Sequence, residues 1–442
     1  MDISVLWTWV DWLLGVPLIL YAVGISIICT VAFRFIQFRS FFDSFRAVLL
    51  PSKTEAKAGE MSPFQAFVNT LSTNLGNGSV VGAATAVVAG GPGSGIWVLL
   101  VSILLMAVRF AEVYASTWFG MKTKKQTVLG GPMLYLTQVP GGAVLSMLYG
   151  VCCLFFGLTV GNAMQIHSIS YSITTTWGIN SYIIAAVITL FMAYILLGGA
   201  ERIVAVSDAI VPIKVVVFFG SALILIGYHS GVLFDALQLM VQSAFNPQAF
   251  IGGVIGFTMM QAVQAGMNLS VTATESGLGT AAILFGYTGS KDPLRSGLMG
   301  MVSTFVSSLV CFLVSLCIVI SGVWNSGLAS SALTISAFNT VFGQWGGFLV
   351  SFLAISFGGG VVVAYAYITR AAWFSVTGGR FEPLFMLVYT ATAFFGAIVD
   401  PSIVWGAVAI INGLLLTINL TGLLLLLPRL AGYVKESEKK SA

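Results

Sequence analysis

Eleven apolar segments of membrane-crossing length follow one another along this chain. They lie at about 12–34, 64–88, 94–118, 142–172, 181–198, 203–228, 248–285, 297–320, 343–373, 384–400 and 402–427. A hydrocarbon core ~30 Å thick needs roughly 17–25 apolar residues per helix. In lipid the backbone must satisfy its own polar groups, which a helix does within one segment. The chain is therefore expected to be an all-α polytopic membrane protein. Composition agrees: 58% of the residues are hydrophobic and 8% are charged, against about 25% charged in a soluble domain. The 49 glycines suit close helix packing in lipid. All five cysteines, Cys29, Cys152, Cys153, Cys311 and Cys317, sit inside apolar runs, which is neither a disulfide framework nor a zinc pattern. No basic region precedes the first apolar run, so it reads as a retained helix rather than a cleaved signal peptide.

The basic residues alternate from one connection to the next. Arg34, Arg39, Arg46, Lys53 and Lys57 fill the first, and Lys122, Lys124 and Lys125 the third. Arg202 marks the fifth, Lys291 and Arg295 the seventh, Arg380 the ninth, and Arg429, Lys435, Lys439 and Lys440 the tail. The even connections and the N-terminus carry no Lys or Arg. By the positive-inside rule the N-terminus is outside and the C-terminus cytoplasmic. A miscounted span would scramble that alternation.

The seventh and ninth segments are long, which suggests that they are broken or tilted. Two segments, the second and the seventh, carry glycines that interrupt them. The second contains NLGNGSVVG, with Gly76 and Gly78; the seventh contains SVTATESGLGTAAI, with Gly277 and Gly279. They are five spans apart. Segments 64–228 and 247–427 are then two five-helix units of opposite orientation, after an N-terminal helix and loop (1–63) and before a tail (428–442). Gly-interrupted segments at matching positions of an inverted repeat point to a transporter's binding site. Unwinding frees backbone groups that a ligand can satisfy: N–H groups for a carboxylate, carbonyls for a cation. A zwitterionic amino acid with a cation is the natural guest. Packing or kinking is the bland alternative for one break, but two matched breaks favour a site.

At this point the sequence resembles the alanine or glycine:cation symporters. The resemblance is carried by NTLSTNLGNGSVVGAATAVVAGGPGSGIWV, RFAE at 109–112, GGPMLYL at 130–136, GNAMQIHSIS at 161–170, GGAERIVAVSDAIVP at 198–212 and ESGLGTAAI at 275–283. FRFIQFRSF at 33–41 matches the family's first cytoplasmic loop. The resemblance implies a LeuT-like fold with one extra N-terminal helix, and sodium-driven uptake of glycine, alanine or D-alanine. By the same resemblance Gly76 and Gly78 match the unwound glycines of core helix 1, Gln165 the Gln of core helix 3, and Glu275, Gly277 and Gly279 the break of core helix 6. With the polar residues beside them, the expected substrate residues are Asn74, Gly76, Asn77, Gly78, Ser79, Gln165, Thr274 and Gly277. Thr73, Glu275, Ser356 and Lys214 are the candidate coupling residues, with sodium expected in the Thr73 and Ser356 region. Three departures stand out. The family's Asn after its G-T-G is Ser79 here and its preceding Thr is Asn77, an exchange that relocates the polar group. Phe357 replaces the second of two hydroxyls beside Ser356. Lys214 stands where the family has an apolar residue.

Lys214 falls near mid-bilayer, where a Lys costs ~2.5–3.5 kcal/mol on insertion scales and marks function by default. Desolvation disfavours the charged form of a buried ammonium, so Lys214 is expected to be protonatable at working pH. Its ammonium would take a sodium ion's place between core helices 1, 5 and 8, as a Lys on core helix 5 does in some LeuT-fold transporters. A static structural pair is the competing reading. Among the other charges, Arg109 and Glu112 read as an i,i+3 ion pair, and Asp208 as structural at a helix start. Glu275, inside the second break, ties freed N–H groups or lines the cation path. His167 faces away from Gln165, whereas Asn162 shares its face.

A secondary symporter for small neutral amino acids is the leading function, with the coupling cation Na+ or H+ and no other cofactor. A membrane sensor would need a signalling domain, and only 14 residues follow Pro428. An intramembrane enzyme is not expected, since the sequence shows no H-E-x-x-H, no G-x-S-x-G and no Ser–His pair at a known spacing, and the lack of a P-loop argues against a primary ATP-driven pump. The expected partners are an amino acid and the bilayer, with no nucleic acid and no obligate protein. A bacterial inner membrane is the expected location.

Overall fold

The computed structural model describes residues 15–50, 61–122, 130–245, 259–328, 330–399 and 405–441. Every regular element among them is helical. The chain opens with α1 (Val16–Ala32) and a short amphipathic α2 (Phe41–Leu49). The second apolar segment divides into α3 (Pro63–Asn74) and α4 (Asn77–Gly90). Next come α5 (Ser94–Lys122), α6 (Gly142–Leu158), α7 (Met164–Trp177), α8 (Ser181–Leu197) and α9 (Gly199–Tyr228). A π-helical turn, Thr159–Ala163, joins α6 to α7. After α10 (Leu233–Phe245) the seventh segment divides into α11 (Met259–Thr274) and α12 (Thr280–Gly286). The rest is α13 (Pro293–Ile320), α14 (Ser330–Phe342), α15 (Trp345–Thr377), α16 (Glu382–Ile398) and α17 (Trp405–Ser441). Lys53, Lys57, Lys124, Lys125 and the expected start of the seventh segment lie outside the described residues.

Six of the described helices are long and apolar enough to cross a membrane, and five shorter apolar helices accompany them. Connections read from sequence as plain loops carry α10 and α14. The ninth segment, whose length suggested a break or tilt, is a single helix of 33 residues. Its Gly358–Gly360 run does not unwind it but strips side chains from the face that meets its neighbours.

α3 starts where sequence says it should. Ser62 and Gln65 form a reciprocal capping box, and Pro63 needs no N–H at the first helical position. It packs against α9, α13 and α15, while α11 packs against α4 and α5, and α12 against α5. Both interrupted segments therefore run through the centre of the molecule. The rim is apolar toward lipid: Leu190 and Leu197 of α8 are 71% and 76% exposed.

Candidate substrate and cation site

The first break is shorter than the sequence implied. Only Leu75 and Gly76 leave the helix, and Asn77, Gly78 and Ser79 form the first turn of α4. The two glycines differ in duty. A Cβ on Gly76 would come within 2.7 Å of the Val361 side chain, so close packing demands glycine there. A Cβ on Gly78 would meet nothing within 4 Å, because this residue faces an open cavity. The N-cap of α4 is Gly76, which offers no capping side chain. Of its first-turn N–H groups, Asn77 N is engaged by Gln165 Oε1 and Ser79 N by Gly76 O, and Gly78 between them faces the cavity where an anion can approach the positive end of the helix.

The cavity has a volume of about 630 Å³ and is lined by Thr73, Asn74, Gly76, Asn77, Gly78, Ser79, Gln165 and Glu275, among others. Gln165 Oε1 accepts from Asn77 N at 3.3 Å, and Ser79 Oγ donates to Asn74 O at 2.9 Å. Asn74 Nδ2 and both amide atoms of Asn77 are buried without a partner. Buried amides left unmet cost free energy, which a bound ligand recovers. Six of the eight expected substrate residues thus meet in one cavity. Thr274 and Gly277 are off it: Thr274 Oγ1 donates to Ser270 O at 2.7 Å, and Gly277 N to Glu112. His167 also lies off the cavity, and Asn162 turns away from it to donate to Tyr389 O at 2.8 Å.

The second break spans Glu275–Gly279. Gly277 and Gly279 adopt φ of 98° and 81°, a left-handed region that glycine enters without strain. Glu275 takes φ 52° as a non-glycine. Its carboxylate accepts from Tyr365 OH at 2.6 Å and Thr280 Oγ1 at 2.8 Å.

Sequence reasoning missed what anchors this break. Arg109 and Glu112 do pair, with Nη1 and Oε2 3.4 Å apart, but both are fully buried. Glu112 Oε1 accepts the N–H groups of Gly277 and Gly279, each at 2.9 Å, and Asn419 Nδ2 at 2.8 Å. Arg109 Nη2 donates to Thr274 O. Asn419 also donates to Gly277 O at 2.8 Å, and Tyr149 OH to Leu278 O at 2.6 Å. The i,i+3 spacing is only the smaller part of this pair's duty. A buried Arg and Glu within one long apolar span was the available signal.

Lys214 sits near the middle of the 30-residue α9. Its neighbours Ile213 and Val216 are 56% and 70% exposed, whereas Lys214 is fully buried. The ammonium therefore points inward. It donates to Leu75 O at 2.9 Å and Ser72 O at 3.2 Å, the carbonyls at the end of α3. It also lies 5.4 Å from the ring centre of Phe357, within cation–π reach. Ser356 is half-buried, its Oγ donates to Leu353 O at 3.1 Å, and it does not line the cavity. Thr73 Oγ1 donates to Thr70 O at 2.9 Å. Asp208 accepts from Gln65 Nε2 at 3.1 Å, which ties α9 to α3.

The glycine run of α15 makes room for this arrangement. A Cβ on Gly360 would stand 2.8 Å from Lys214 Nζ and 2.9 Å from Ser72 Oγ, whereas one on Gly359 would meet nothing within 4 Å. Overpacking of this kind costs ~1–3 kcal/mol. Gly360→Ala is therefore expected to lower the melting temperature and gradient-driven uptake, and Gly359→Ala to leave both near wild type. Equal effects of the two substitutions in a paired thermal-shift and uptake assay would contradict this packing.

A central cavity between two interrupted helices, flanked by buried polar networks, is the arrangement of a secondary transporter. The chain belongs to the sodium:alanine symporter family, whose match runs over residues 3–442. An uncharacterized transporter of Haemophilus influenzae is 33% identical over 93% of this chain and 90% of its own length. A sodium/alanine symporter of Methanococcus maripaludis, AgcS, is 28% identical over 93% of this chain and 92% of its own. Among solved structures, a Na+-coupled sialic acid symporter in a substrate-bound outward-open state superposes with a TM-score of 0.58. It has 13% identity and covers 94% of this chain and 86% of its own. The fold is thus the LeuT-like five-plus-five inverted repeat behind one extra helix, and the protein is an integral membrane, cation-coupled amino-acid symporter.

Proposed function

We propose that this protein imports small neutral amino acids, with alanine and glycine as the lead substrates. We further propose that a protonated Lys214 takes the place of a coupling sodium ion. One observation carries the coupling: the Lys214 ammonium donates to Ser72 O and Leu75 O, the carbonyls that unwinding frees. Freed carbonyls at such breaks are where a transported cation is held. Phe357, in place of a hydroxyl, offers a cation–π face to the ammonium and no ligand to sodium. The substrate carboxylate docks at the first turn of α4 beside Asn77 and Gln165. The orientation that fits the alternating basic residues puts the N-terminus outside a bacterial inner membrane and the C-terminus in the cytoplasm. In this reading residues 64–228 and 247–427 are the two repeats.

The test is alanine uptake into proteoliposomes under a proton gradient or a sodium gradient imposed separately. Uptake driven by protons without sodium is expected. Uptake that requires sodium and ignores the proton gradient would remove Lys214 from coupling, and no uptake under either would remove alanine as substrate.

A further inference from the structure

The breaks have few backbone carbonyls left to offer a ligand. In the second break, Ala273 O accepts from Ser307 Oγ at 2.8 Å, and Thr274 O from Arg109. Glu275 O accepts from Leu278 N at 3.2 Å, Gly277 O from Asn419 at 2.8 Å, and Leu278 O from Tyr149 at 2.6 Å. In the first break, Lys214 takes Ser72 O and Leu75 O, Ser79 Oγ takes Asn74 O, and Ser79 N takes Gly76 O at 3.0 Å. A side-chain carboxylate is therefore the strongest acceptor that the breaks offer a cationic group entering the cavity.

Among the described residues that line the cavity, Glu275 is the one formally charged. It is 6% exposed, and the side chains that hydrogen-bond to it, Tyr365, Thr280 and Thr73, are all neutral. No Lys or Arg forms a direct ion pair with it among the described residues; the nearby buried Arg109 attracts it through space but pairs with Glu112 and donates to Thr274 O. A buried carboxylate without a direct cationic partner is costly, and a bound cation offsets that cost. Its backbone is left-handed, which costs a non-glycine ~1–3 kcal/mol and is found where a ligand clamp over-determines it. Two such glycines follow within four residues, so the position is not short of glycine by accident of composition. A carboxylate has about four lone-pair sites, so three neutral donors leave room for one more. The directional N–H donor of an ammonium fits such a site.

We propose that the Glu275 carboxylate is the counter-charge for the substrate's α-ammonium, and that it makes the cavity select amino acids over the matching 2-hydroxy acids. This rests on the reading of the cavity as an amino-acid site. The experiment is competition for binding in full-length protein reconstituted in nanodiscs, with L-alanine and L-lactate as probes. The two differ in ammonium against hydroxyl and share the carboxylate.

Wild type should prefer alanine over lactate by about 100-fold or more, as expected for a desolvated charge pair. In Glu275→Gln that preference should collapse toward parity, chiefly through weaker alanine binding. Glu275→Asp keeps the charge and should keep most of the preference, which controls for misfolding. A wild-type preference under about tenfold, where each tenfold is ~1.4 kcal/mol, overturns the proposal without any variant. So does a Glu275→Gln protein that weakens both probes equally while its ion dependence changes, because that assigns Glu275 to the coupling cation. If wild type ignores alanine, the substrate reading has failed. The same comparison on the amino acid it does bind, against its 2-hydroxy analogue, then decides Glu275 separately, and binding of no amino acid overturns both.

Discussion

Lys214→Met is expected to abolish accumulation of alanine against its gradient while sparing exchange of alanine across the membrane. The expectation follows from geometry. The ammonium bridges the carbonyls of Ser72 on α3 and Leu75 just beyond it, beside the Phe357 ring on α15. Three elements around the break are thus held by one charge that can be gained and lost. Removing it leaves both carbonyls without a donor, each at ~1–3 kcal/mol. It also removes a buried charge that has no carboxylate partner, which offsets part of that loss. The folded protein should therefore survive, and methionine keeps most of the volume. What disappears is the thermodynamic link between the proton and the substrate. Couplings of this kind are worth ~1–3 kcal/mol, or about 5–150-fold in affinity. Wild-type alanine uptake should rise as the external solution is acidified, because the proton is a co-substrate, and the variant's uptake should lose that dependence. Proteoliposomes loaded with unlabelled alanine and given labelled alanine outside read exchange; empty ones with a proton gradient read accumulation. A Lys214→Met protein that still accumulates alanine in response to protons would end the coupling role.

How far sequence reasoning reaches is visible at the two breaks. Gly76, Gly78, Gly277 and Gly279 announced both; Gly76 packs tightly and Gly277 and Gly279 enter left-handed backbone, whereas Gly78 stays helical and leaves the cavity open. The first break is nonetheless only Leu75–Gly76, because Asn77–Ser79 hold their helical turn through Ser79 N to Gly76 O. The interruption foreseen as possible in the ninth segment is absent, because a glycine run inside a helix can serve approach instead of unwinding. Gly360 serves it at Lys214, and Gly358 at Asn77, whose Nδ2 lies 2.6 Å from where a Cβ would stand. Lys214 was legible because a mid-span charge is rare. Asn419 was not, for an Asn in a leucine-rich helix carries no spacing signal. Its role emerges only once α17 meets α5 and the second break. The same holds for Tyr149 and Tyr365, which look like ordinary aromatic residues of apolar spans until their hydroxyls find Leu278 O and Glu275.

Glu112→Ala should be the most destructive single change in the chain, and a double variant can separate its two effects. The Glu112 carboxylate accepts from Gly277 N, Gly279 N and Asn419 Nδ2, so one side chain on α5 satisfies what the missing helical turn would have. Its loss orphans three donors and leaves Arg109 buried without its ion-pair partner. Breaking a buried pair from one side costs ~3–5 kcal/mol, a large share of a typical folding free energy of ~5–15 kcal/mol. Yield and melting temperature should fall sharply. Replacing both members by apolar residues, Arg109→Met with Glu112→Leu, removes the uncompensated charge and should recover much of the stability. It restores no acceptor for the Gly277 and Gly279 N–H groups. The double variant is therefore expected to fold and to remain poor in transport, with Glu275 and the cavity wall no longer held in place. Full recovery of alanine uptake along with stability would reduce the pair to a structural ion pair. Recovery of stability alone would assign Arg109 and Glu112 the positioning of the second break.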